Sequence, residues 1–346
     1  MIVARFYAPG DLRIEEAEEP RPGPDEVKIR VRNCSTCGTD VKILKFGHQH
    51  LVPPRILGHE VAGQVVEVGA NVGGWHPGDR VQVIAAVPCD VCAVCRRGRG
   101  TVCPSQTSVG YHYDGGFAEY MVVPAQVLAV GGLNPIPAAL SYAEASVAEP
   151  LACVLNGQQL AGVGSGDDVV VVGAGPIGCL HVRLARARGA RRVYLVDLNR
   201  ARLDRSAAAV DPDAAICSAE TDAIDEVRKL TGGDGADVLI TAAASGAAQE
   251  EAVQMTARGG RISLFGGLPK TAPTITLDSN LVHYRELTIV GANGSSPADN
   301  VRALQLIATQ EVPVADLITH RLPLAQVPEA IAIVGRGDAI KATVET

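Results

Sequence analysis

Four cysteines lie within fifteen residues of one another in the first third of the chain, and together they could bind a metal ion. They are spaced Cys-x2-Cys-x2-Cys-x7-Cys, at Cys89, Cys92, Cys95 and Cys103. Four thiolates held this close suit a tetrahedral zinc site with no open position for a substrate. An iron–sulfur site or ordinary buried cysteines are the alternatives, but the remaining sequence offers no electron-transfer chemistry beyond hydride transfer. The spacing therefore predicts structural zinc.

A second set of metal-binding side chains is spread over the first 150 residues. It comprises the thiolate of Cys37, the imidazole of His59 and a carboxylate from either Glu60 or Glu149. A catalytic zinc needs about three protein ligands and one open position, and it lowers the pKa of a hydroxyl bound there. Cys37 alone would be read as a small buried hydrophobe, and His59 alone as a core or surface histidine. Together these residues predict an open zinc site that activates an alcohol.

A glycine-rich turn near the middle of the chain predicts a dinucleotide site. It follows the β-branched strand Asp168–Val172 and precedes a helical pattern, and its residues are Gly173, Gly175, Pro176, Ile177 and Gly178. The glycines allow a tight turn and close approach of a pyrophosphate to a helix N-terminus. The alternative is a glycine-rich turn without a ligand.

The cofactor expected at this turn is NAD. Asp197 lies nineteen residues beyond Gly178, at the end of the next apolar strand, where a carboxylate can accept hydrogen bonds from the ribose hydroxyls. The same charge would repel the 2′-phosphate of NADP. Arg200 and Arg202 stand nearby and could accommodate such a phosphate, and we count Arg202 among the cofactor-binding residues.

The elements that must position these residues change character along the chain. The first third has short alternating runs, such as Val27–Val31, Val61–Val68 and Arg80–Ala85, that are punctuated by proline and glycine, which is typical of a compact sheet of short strands. From about residue 141, strands alternate with helical patterns, which is typical of a parallel sheet covered by helices. The tail is expected to hold a helix over Asn300–Thr309 and a final strand over Ile340–Val344.

Several segments together resemble the zinc-dependent medium-chain alcohol dehydrogenases, in the sorbitol and threonine dehydrogenase branch. The stretch Gly58–Gly63, which contains His59 and Glu60, resembles the family's zinc signature, and Cys37–Asp40 resembles the segment that supplies its first catalytic ligand. Ala148–Leu151, which contains Glu149, resembles the Glu-Pro element of this branch. The segment from Cys89 to Cys103, which we call the cysteine lobe, and the glycine turn also lie at the positions where the family has them.

The resemblance implies an α/β architecture with three parts. A GroES-like, β-rich catalytic domain is expected over residues 1–150 with a structural zinc lobe at 89–103, and a Rossmann doubly wound parallel-sheet domain over 151–290. Residues 291–346 are expected to return to the catalytic domain. The implied activity is hydride transfer between a secondary alcohol, such as a polyol, sugar, cyclitol or amino alcohol, and NAD. A threonine or simple secondary alcohol dehydrogenase, or a non-catalytic NAD- and zinc-binding scaffold, is the alternative.

The resemblance also suggests how protons leave the site. The hydroxyl of Thr39, two residues after Cys37, is expected to pass the substrate proton toward solvent. Many relatives carry a histidine five residues after the cysteine, and this chain has Lys42 there. Sorbitol dehydrogenases carry an Arg-Tyr pair where this chain has the small polar run Gly291–Ser296, which argues against sorbitol itself.

Composition narrows the remaining possibilities. The net charge of −7, without a basic run, argues against a nucleic-acid partner. No apolar stretch reaches the roughly 18 to 20 residues that a membrane helix needs, and the first residues carry no secretory pattern. Nine cysteines, an odd number, argue against a disulfide framework. We therefore expect a cytoplasmic protein that acts on a small molecule, and the family resemblance suggests a homodimer or homotetramer.

Overall fold

The structure is a computed structural model that describes all residues from Met1 to Thr346. In chain order its strands are β1 (Ile2–Ala8), β2 (Asp11–Glu16), β3 (Val27–Ser35), β4 (Arg55–Ile56), β5 (Glu60–Val68), β6 (Arg80–Val83), β7 (Ala86–Val87), β8 (Thr107–Ser108), β9 (Tyr120–Val123), β10 (Leu133–Pro135), β11 (Asp168–Val172), β12 (Arg192–Asp197), β13 (Ala214–Cys217), β14 (Ala236–Thr241), β15 (Thr256–Leu264), β16 (Thr288–Gly291), β17 (Ile318–Pro323) and β18 (Lys341–Glu345).

Twelve α-helices accompany these strands, together with three short 3₁₀ turns. They are α1 (Gly38–Phe46), α2 (Ala93–Arg96), α3 (Ala125–Ala129), α4 (Tyr142–Ser146), α5 (Ala148–Leu160), α6 (Pro176–Ala187), α7 (Arg200–Val210), α8 (Ala223–Leu230), α9 (Gly246–Met255), α10 (Ser279–Tyr284), α11 (Pro297–Ala308) and α12 (Val327–Arg336). None of the helices combines the length and the apolar character that a membrane span requires.

The chain divides into two compact units. The first contains Met1–Ala152 together with Gly294–Thr346, and the second contains Cys153–Asn293. The returning tail adds β17 and β18 to the first unit, where β18 pairs antiparallel with β3. This division is based on contacts within the structure, and the domain boundaries expected from the sequence stay predictions.

The first unit is built on a seven-stranded sheet with the order β10-β6-β5-β3-β18-β17, and β9 also pairs with β3. The alternation of apolar and polar residues buries one side of these strands in a core that includes Val27, Ile29, Val61 and Phe117. Strands β3 and β5 lie side by side near the centre of this sheet. The segments that follow β3 and precede β5 are therefore neighbours, and both carry predicted metal ligands.

The second unit is a six-stranded sheet with the order β13-β12-β11-β14-β15-β16, and all of its neighbouring strands are parallel. Strand β11 reads Asp-Val-Val-Val-Val and every residue in it is buried, as expected for a central parallel strand covered on both faces. The order reverses between β12 and β14 around β11. Ligands in open parallel sheets bind at the carboxyl ends of the strands at this kind of reversal.

The tail contains more structure than the sequence analysis expected. The expected helix is observed as α11 and the final strand as β18, but β17 and α12 were not anticipated. Helix α12 begins at Val327 with Pro328 in its first turn and ends at Gly337, which has a positive φ of 76°. These are ordinary start and stop signals, and they could have been read from the sequence.

Candidate active site

Three predicted metal ligands converge in the first unit. Cys37 is the N-cap residue of α1, and its backbone N–H donates to Asp40 Oδ2 over 2.8 Å. His59 and Glu60 stand at the beginning of β5 and are both buried. One donor atom from each of Cys37, His59 and Glu60 can be chosen so that all of them lie within 4.8 Å of one another. A single metal ion can be bound by atoms at this separation.

Asp40 lies beside the metal-site histidine, and it was not identified from the sequence. Asp40 Oδ1 lies 3.6 Å from His59 Nδ1, and both side chains are almost completely buried. At this distance the carboxylate attracts the ring electrostatically without a hydrogen bond, which favours the orientation that leaves the other nitrogen for a metal. Burial lowers the pKa of His59, but Asp40 and Cys37 outweigh burial and raise this pKa well above its usual value. The capping position three residues after Cys37 was the signal for Asp40.

Glu60 forms a buried ion pair with Lys341 of β18. Lys341 Nζ also donates to the backbone oxygen of Thr36 over 2.9 Å. Burial raises the pKa of Glu60 to about 7, against the opposing effect of Lys341. Burial lowers the pKa of Lys341, but the Glu60 carboxylate outweighs it and the net shift is upward. No local pattern indicates this pair, because its members are 281 positions apart in the sequence.

The donor set fits a divalent cation. Glu60 Oε2 is paired with Lys341, but the buried Glu60 Oε1 and Asp40 Oδ1 have no hydrogen-bond donor, so the protein alone leaves these two oxygens unsatisfied. Glu149 is 7% exposed in the first turn of α5. Its negative charge contributes to raising the pKa values of His59, Glu60 and Lys341. It does not belong to the closest ligand group, which contains Glu60 instead. A zinc ion at this position would supply Lewis-acid activation of a hydroxyl.

Two further residues line the same site. The hydroxyl oxygen of Thr39 lies 3.5 Å from Cys37 Sγ. The ring of Tyr111 lies 5.9 Å from the ring of His59, between centroids. Burial raises the pKa of Tyr111 well above its usual value, and the charges of Asp40 and Cys37 add to this effect. Tyr111 was not identified from the sequence, which carries no motif around it.

The four cysteines of the lobe also come together. Cys92 Sγ lies 3.5 Å from Cys95 Sγ and 4.0 Å from Cys103 Sγ, and all four sulfur atoms lie within 4.8 Å of one another. Four thiolates around one zinc ion would stand about 3.8 Å apart, given Zn–S bonds of about 2.3 Å. Backbone hydrogen bonds from Cys95 lower the pKa of Cys92 to about 6, which favours the thiolate. The residues fit a closed structural zinc site.

The glycine turn has the geometry that a dinucleotide requires. A Cβ atom on Gly178 would lie 1.8 Å from the backbone oxygen of Gly173, so no side chain fits there. Gly173 has a φ of 113°, which favours glycine. Gly175 is the N-cap of α6, and Pro176 and Ile177 form its first turn. The backbone N–H groups of this turn can therefore face an anion.

A cleft of about 340 Å³ lies beside the glycine turn in the second unit, at the carboxyl ends of β11 and β12. Its lining includes Gly173, Asp197, Leu198 and Arg202. Asp197 is buried, and its oxygens accept hydrogen bonds from the backbone N–H groups of Ala174 (2.7 Å) and Asn199 (2.8 Å). Asp197 also accepts from Arg202 Nε (3.0 Å) and Nη2 (2.7 Å).

The second arginine near the cleft is engaged elsewhere. Arg200 pairs with Glu220 and Asp204 at the surface. Arg202 is therefore the arginine that contacts the acid at the end of β12. Burial raises the pKa of Asp197, but the hydrogen bonds from Arg202 and the backbone outweigh it and lower the pKa. The carboxylate is the charged form that a ribose would meet.

A β-rich unit with an open metal-ligand group, joined to a parallel sheet with a glycine turn, defines a metal-dependent dehydrogenase. Residues 23–132 match the model of the alcohol dehydrogenase GroES-like domain, and residues 176–309 match the model of the zinc-binding dehydrogenases. The chain is 36% identical to the L-threonine 3-dehydrogenase of Pyrococcus horikoshii, over 93% of this chain and 91% of that protein. It is 30% identical to the sorbitol dehydrogenase of Halalkalibacterium halodurans, over 98% of this chain and 97% of that protein.

A solved structure resembles the whole chain. The zinc-binding dehydrogenase from Sinorhizobium meliloti 1021, bound to NADP, has a TM-score of 0.92 at 30% identity and covers 100% of this chain and 99% of its own. The chain belongs to the zinc-dependent medium-chain alcohol dehydrogenase family. It is an alcohol or polyol dehydrogenase that uses zinc and a nicotinamide dinucleotide on a small-molecule substrate. The expected family, fold class and enzyme class are thereby confirmed, and nothing in these matches favours a non-catalytic scaffold.

Proposed function

We propose that the enzyme oxidises a secondary hydroxyl of a polyol-like, sugar-like or amino-alcohol substrate with NAD as the hydride acceptor. The convergence of Cys37, His59 and Glu60 beside unsatisfied buried oxygens supports this proposal most strongly. Cys37 and His59 would hold the catalytic zinc with a carboxylate from Glu60 or Glu149. Zinc bound there would make the substrate hydroxyl more acidic, and the nicotinamide would accept the hydride.

Thr39 is proposed as the first relay for the substrate proton: its oxygen would accept that proton while its own hydroxyl proton passes toward solvent. Its hydroxyl is 3.5 Å from Cys37 Sγ, so it lies beside the proposed ligands without being one of them. Glu60 and its partner Lys341 are proposed to hold the charge balance of the site, since Lys341 brings a positive charge to a group of acidic residues. Lys42 is exposed on α1, where it faces solvent.

The preference for NAD rests on Asp197. Four hydrogen bonds fill the acceptor positions of this carboxylate, and two of them come from Arg202. A ribose could bind Asp197 only after Arg202 releases it, whereas the backbone bonds could stay. A 2′-phosphate would meet the charge of Asp197 at close range, which disfavours NADP.

Cofactor choice can be tested directly at this position. We expect NAD to give at least about tenfold higher kcat/KM than NADP, a difference of about 1.4 kcal/mol. Asp197→Gly should erode the preference because it removes both the ribose contact and the phosphate repulsion. Arg200→Ala is the matched control, since Arg200 pairs with Glu220 and Asp204 instead. An unmodified enzyme that uses NADP better than NAD would contradict the proposal.

The activity itself is tested with a substrate panel. Polyols, sugars, cyclitols, threonine-like amino alcohols and simple secondary alcohols would be offered with NAD, and NADH formation would be followed by absorbance. The match to L-threonine 3-dehydrogenase is the reason for including amino alcohols. Oxidation of at least one secondary alcohol is expected, and no oxidation of any would refute the proposed function.

We also propose a cytoplasmic location and a homo-oligomer of two or four chains. The chain has nine cysteines, an odd number, and four of them are grouped as metal ligands, which suits a reducing compartment. Strand β16 is an edge of the parallel sheet, and hydrophobic side chains such as Val91 and Tyr284 are exposed, so surface is available for self-association. Sedimentation analysis of the purified protein would determine the number of chains, and a monomer would contradict this proposal.

A further inference from the structure

A row of aromatic rings leads outward from the metal-site histidine. The ring of Tyr111 lies 5.9 Å from that of His59, and the ring of His48 lies 4.7 Å from Tyr111 in an edge arrangement. Beyond His48, the ring of His50 follows at 5.5 Å and that of His112 at 5.6 Å. We name His48, His50 and His112 the imidazole cluster. It holds three of the eight histidines in the chain.

The elements that carry the catalytic group also position the imidazole cluster. Helix α1 begins after Cys37 and ends at Gly47, whose φ of 69° turns the chain out of the helix. His48 and His50 follow this turn directly. His112 is adjacent in sequence to Tyr111 and packs against the same loop through His50. The cluster is thus one tyrosine ring away from the proposed reaction centre.

Hydrogen bonds set the tautomers of the cluster. His48 Nδ1 accepts from the backbone N–H of His50 over 3.3 Å, and His112 Nδ1 accepts from the backbone N–H of Ser108 over 3.1 Å. Both imidazoles therefore carry their proton on Nε2 when they are neutral. The side-chain nitrogen of Gln49 lies 3.0 Å from His50 Nε2, which places the proton of His50 on Nδ1. Each ring is an N–H donor when neutral and gains positive charge when protonated.

The charged groups around the cluster are few on its outer side and acidic on its inner side. His50 and Arg55 both lower the pKa of His112, in addition to the larger effect of burial. The carboxylate of Asp114 is occupied, since its Oδ1 accepts from Arg55 Nη1 and from the backbone N–H of Ile56, both at 3.1 Å. The negative charges of Asp40, Cys37 and Glu149 contribute to raising the pKa of Tyr111, and these three residues lie on the side of the proposed zinc. The cluster thus presents N–H donors at the outer end of the site, where Arg55 and the Asp114 that it contacts are the neighbouring charged groups.

The cluster is not arranged around a metal. Only two groups of donor atoms in the chain converge closely enough to bind one ion, the four cysteines and the set of Cys37, His59 and Glu60. The cluster histidines belong to neither group. Their ring contacts run in a row, which suits hydrogen bonding along an extended ligand.

We propose that the imidazole cluster binds an anionic group, a carboxylate or a phosphate, at the end of the substrate remote from the oxidised hydroxyl. The substrate class is then a sugar acid, a sugar phosphate or a similar hydroxy anion instead of a neutral polyol. This inference rests on the proposed oxidation of a secondary alcohol and adds the chemistry that selects among such alcohols. Histidine donors to a charged group each strengthen binding, because hydrogen bonds to ions are stronger than neutral ones.

The test compares neutral substrates with anionic substrates of the same configuration. Alditols, the aldonates of the same configuration and the corresponding sugar phosphates are assayed with the zinc-loaded enzyme, and the aldonate and phosphate arms identify which anion is preferred. We expect kcat/KM to be higher for an anionic substrate than for its neutral counterpart. His48→Gln and His50→Gln should each lower kcat/KM for the anion by about tenfold or more through KM, and leave the alditol unchanged. His76→Gln is the control, because His76 is an exposed histidine outside the cluster.

A binding measurement separates this inference from the proposed function. The preferred aldonate or sugar phosphate is titrated calorimetrically into the protein without dinucleotide, where no turnover occurs. Weaker binding to both cluster variants, with unchanged binding to His76→Gln, supports the inference even if the oxidised hydroxyl has been misassigned. Equal loss on charged and neutral substrates would overturn it, as would a third bound metal equivalent that the cluster variants abolish. No oxidation of any alcohol, with anion binding intact, would refute only the proposed function.

Discussion

Acidic side chains crowd the metal-ligand group. The buried side chains of Asp40, Glu60 and Glu149 lie near the half-buried Cys37, and Lys341 brings a single positive charge to this group. Burying several like charges costs free energy unless a cation accompanies them. A divalent metal ion would supply that charge and could be bound by Glu60 Oε1, which the protein leaves without a donor. The residue types therefore favour zinc on electrostatic as well as geometric grounds.

Loss of a proposed zinc ligand should stop the reaction without emptying the dinucleotide site. We expect His59→Ala to lower kcat by more than about 10³-fold, because Lewis-acid activation contributes several kcal/mol. NAD binding should persist, since the glycine turn belongs to the separate second unit. The measurements are steady-state turnover and fluorescence titration with NADH, with His76→Gln as the control. Near wild-type turnover in His59→Ala would exclude the proposed zinc chemistry.

Removal of the Thr39 hydroxyl should change the pH profile of the enzyme. Thr39→Val keeps the shape of the side chain but removes the proposed proton acceptor. We expect the largest fall in kcat at low pH, where the alcohol most needs a route for its proton, and partial recovery as the pH rises. Thr39→Ser, which keeps the hydroxyl, should behave like the wild type. Identical profiles for Thr39→Val and the wild type would remove Thr39 from the mechanism.

Among the elements, the cysteine lobe contains little regular structure of its own. Between Cys89 and Cys103 it has only the four-residue helix α2 and one 3₁₀ turn. Asp90 in this segment has a positive φ of 60°, which is uncommon outside glycine. So short an element cannot bury enough apolar surface to order itself. Structural zinc contributes about 10–16 kcal/mol in small peptides, which is enough to order such a segment.

Disruption of the lobe should affect stability more than chemistry. We expect Cys95→Ser to lower the thermal midpoint by roughly 5–10 °C, a loss of a few kcal/mol. Turnover per catalytic zinc should stay near that of the wild type in any folded fraction. Calorimetry and metal analysis are the measurements, and Cys153→Ser, outside the lobe, is the control. A fully stable variant that has lost only its turnover would show a catalytic function for the lobe.

A buried carboxylate links the beginnings of the neighbouring strands β11 and β12. Asp168 begins β11, and its oxygens accept hydrogen bonds from Arg191 and Arg192 beside β12. Burial raises the pKa of Asp168, but these hydrogen bonds outweigh burial and lower the pKa from 3.8 to about 2. Because the folded pKa is depressed, the stabilisation is present above about pH 4 and disappears as the pH falls toward 2.

The contribution of Asp168 and its two arginine partners to the free energy of unfolding can be measured. Asp168→Asn should cost about 1–2 kcal/mol at pH 7, discounted because both arginines are partly exposed. Urea unfolding at a series of pH values should show the wild type and the variant converging as the pH falls from 4. Asp234→Asn, at an exposed turn position, is the control. A difference that stays constant down to pH 2.5 would contradict this assignment.

On the scale of the whole molecule, the two proposed zinc sites differ in how they are built. The lobe site has four thiolates from one short segment, whereas the open site gathers ligands from the segment after β3 and the start of β5. Both belong to the first unit, and the glycine turn belongs to the second. The proposed metal ligands and the proposed dinucleotide site therefore belong to different compact units of the chain.

Metal removal should distinguish the two sites. We expect the purified enzyme to contain about two zinc ions per chain, one for each ligand group. Dialysis against a mild chelator should remove the open-site metal first, because an open position admits the competing ligand. Turnover should be lost with the first metal and thermal stability with the second, as followed by elemental analysis, assay and calorimetry. Loss of stability before loss of turnover would reverse the two assignments.

The sequence alone determined the parts of this protein that depend on local spacing. The cysteine lobe and the strand–glycine turn–helix segment are each encoded by short runs, because adjacent residues in such runs fold together. The expected fold class and family were correct for the same reason. Strand β11 has the bounds predicted from the sequence, Asp168–Val172, because a continuous apolar run between turn residues has few alternative structures.

Only the tertiary structure revealed contacts between distant segments. Lys341 meets Glu60 because β18 from the tail pairs with β3, and no local pattern specifies that pairing. Tyr111 and the imidazole cluster approach the metal-site histidine through side-chain packing, which short motifs do not encode. Local spacing identifies ligands, whereas the packing of the sheet decides which charges and rings surround them.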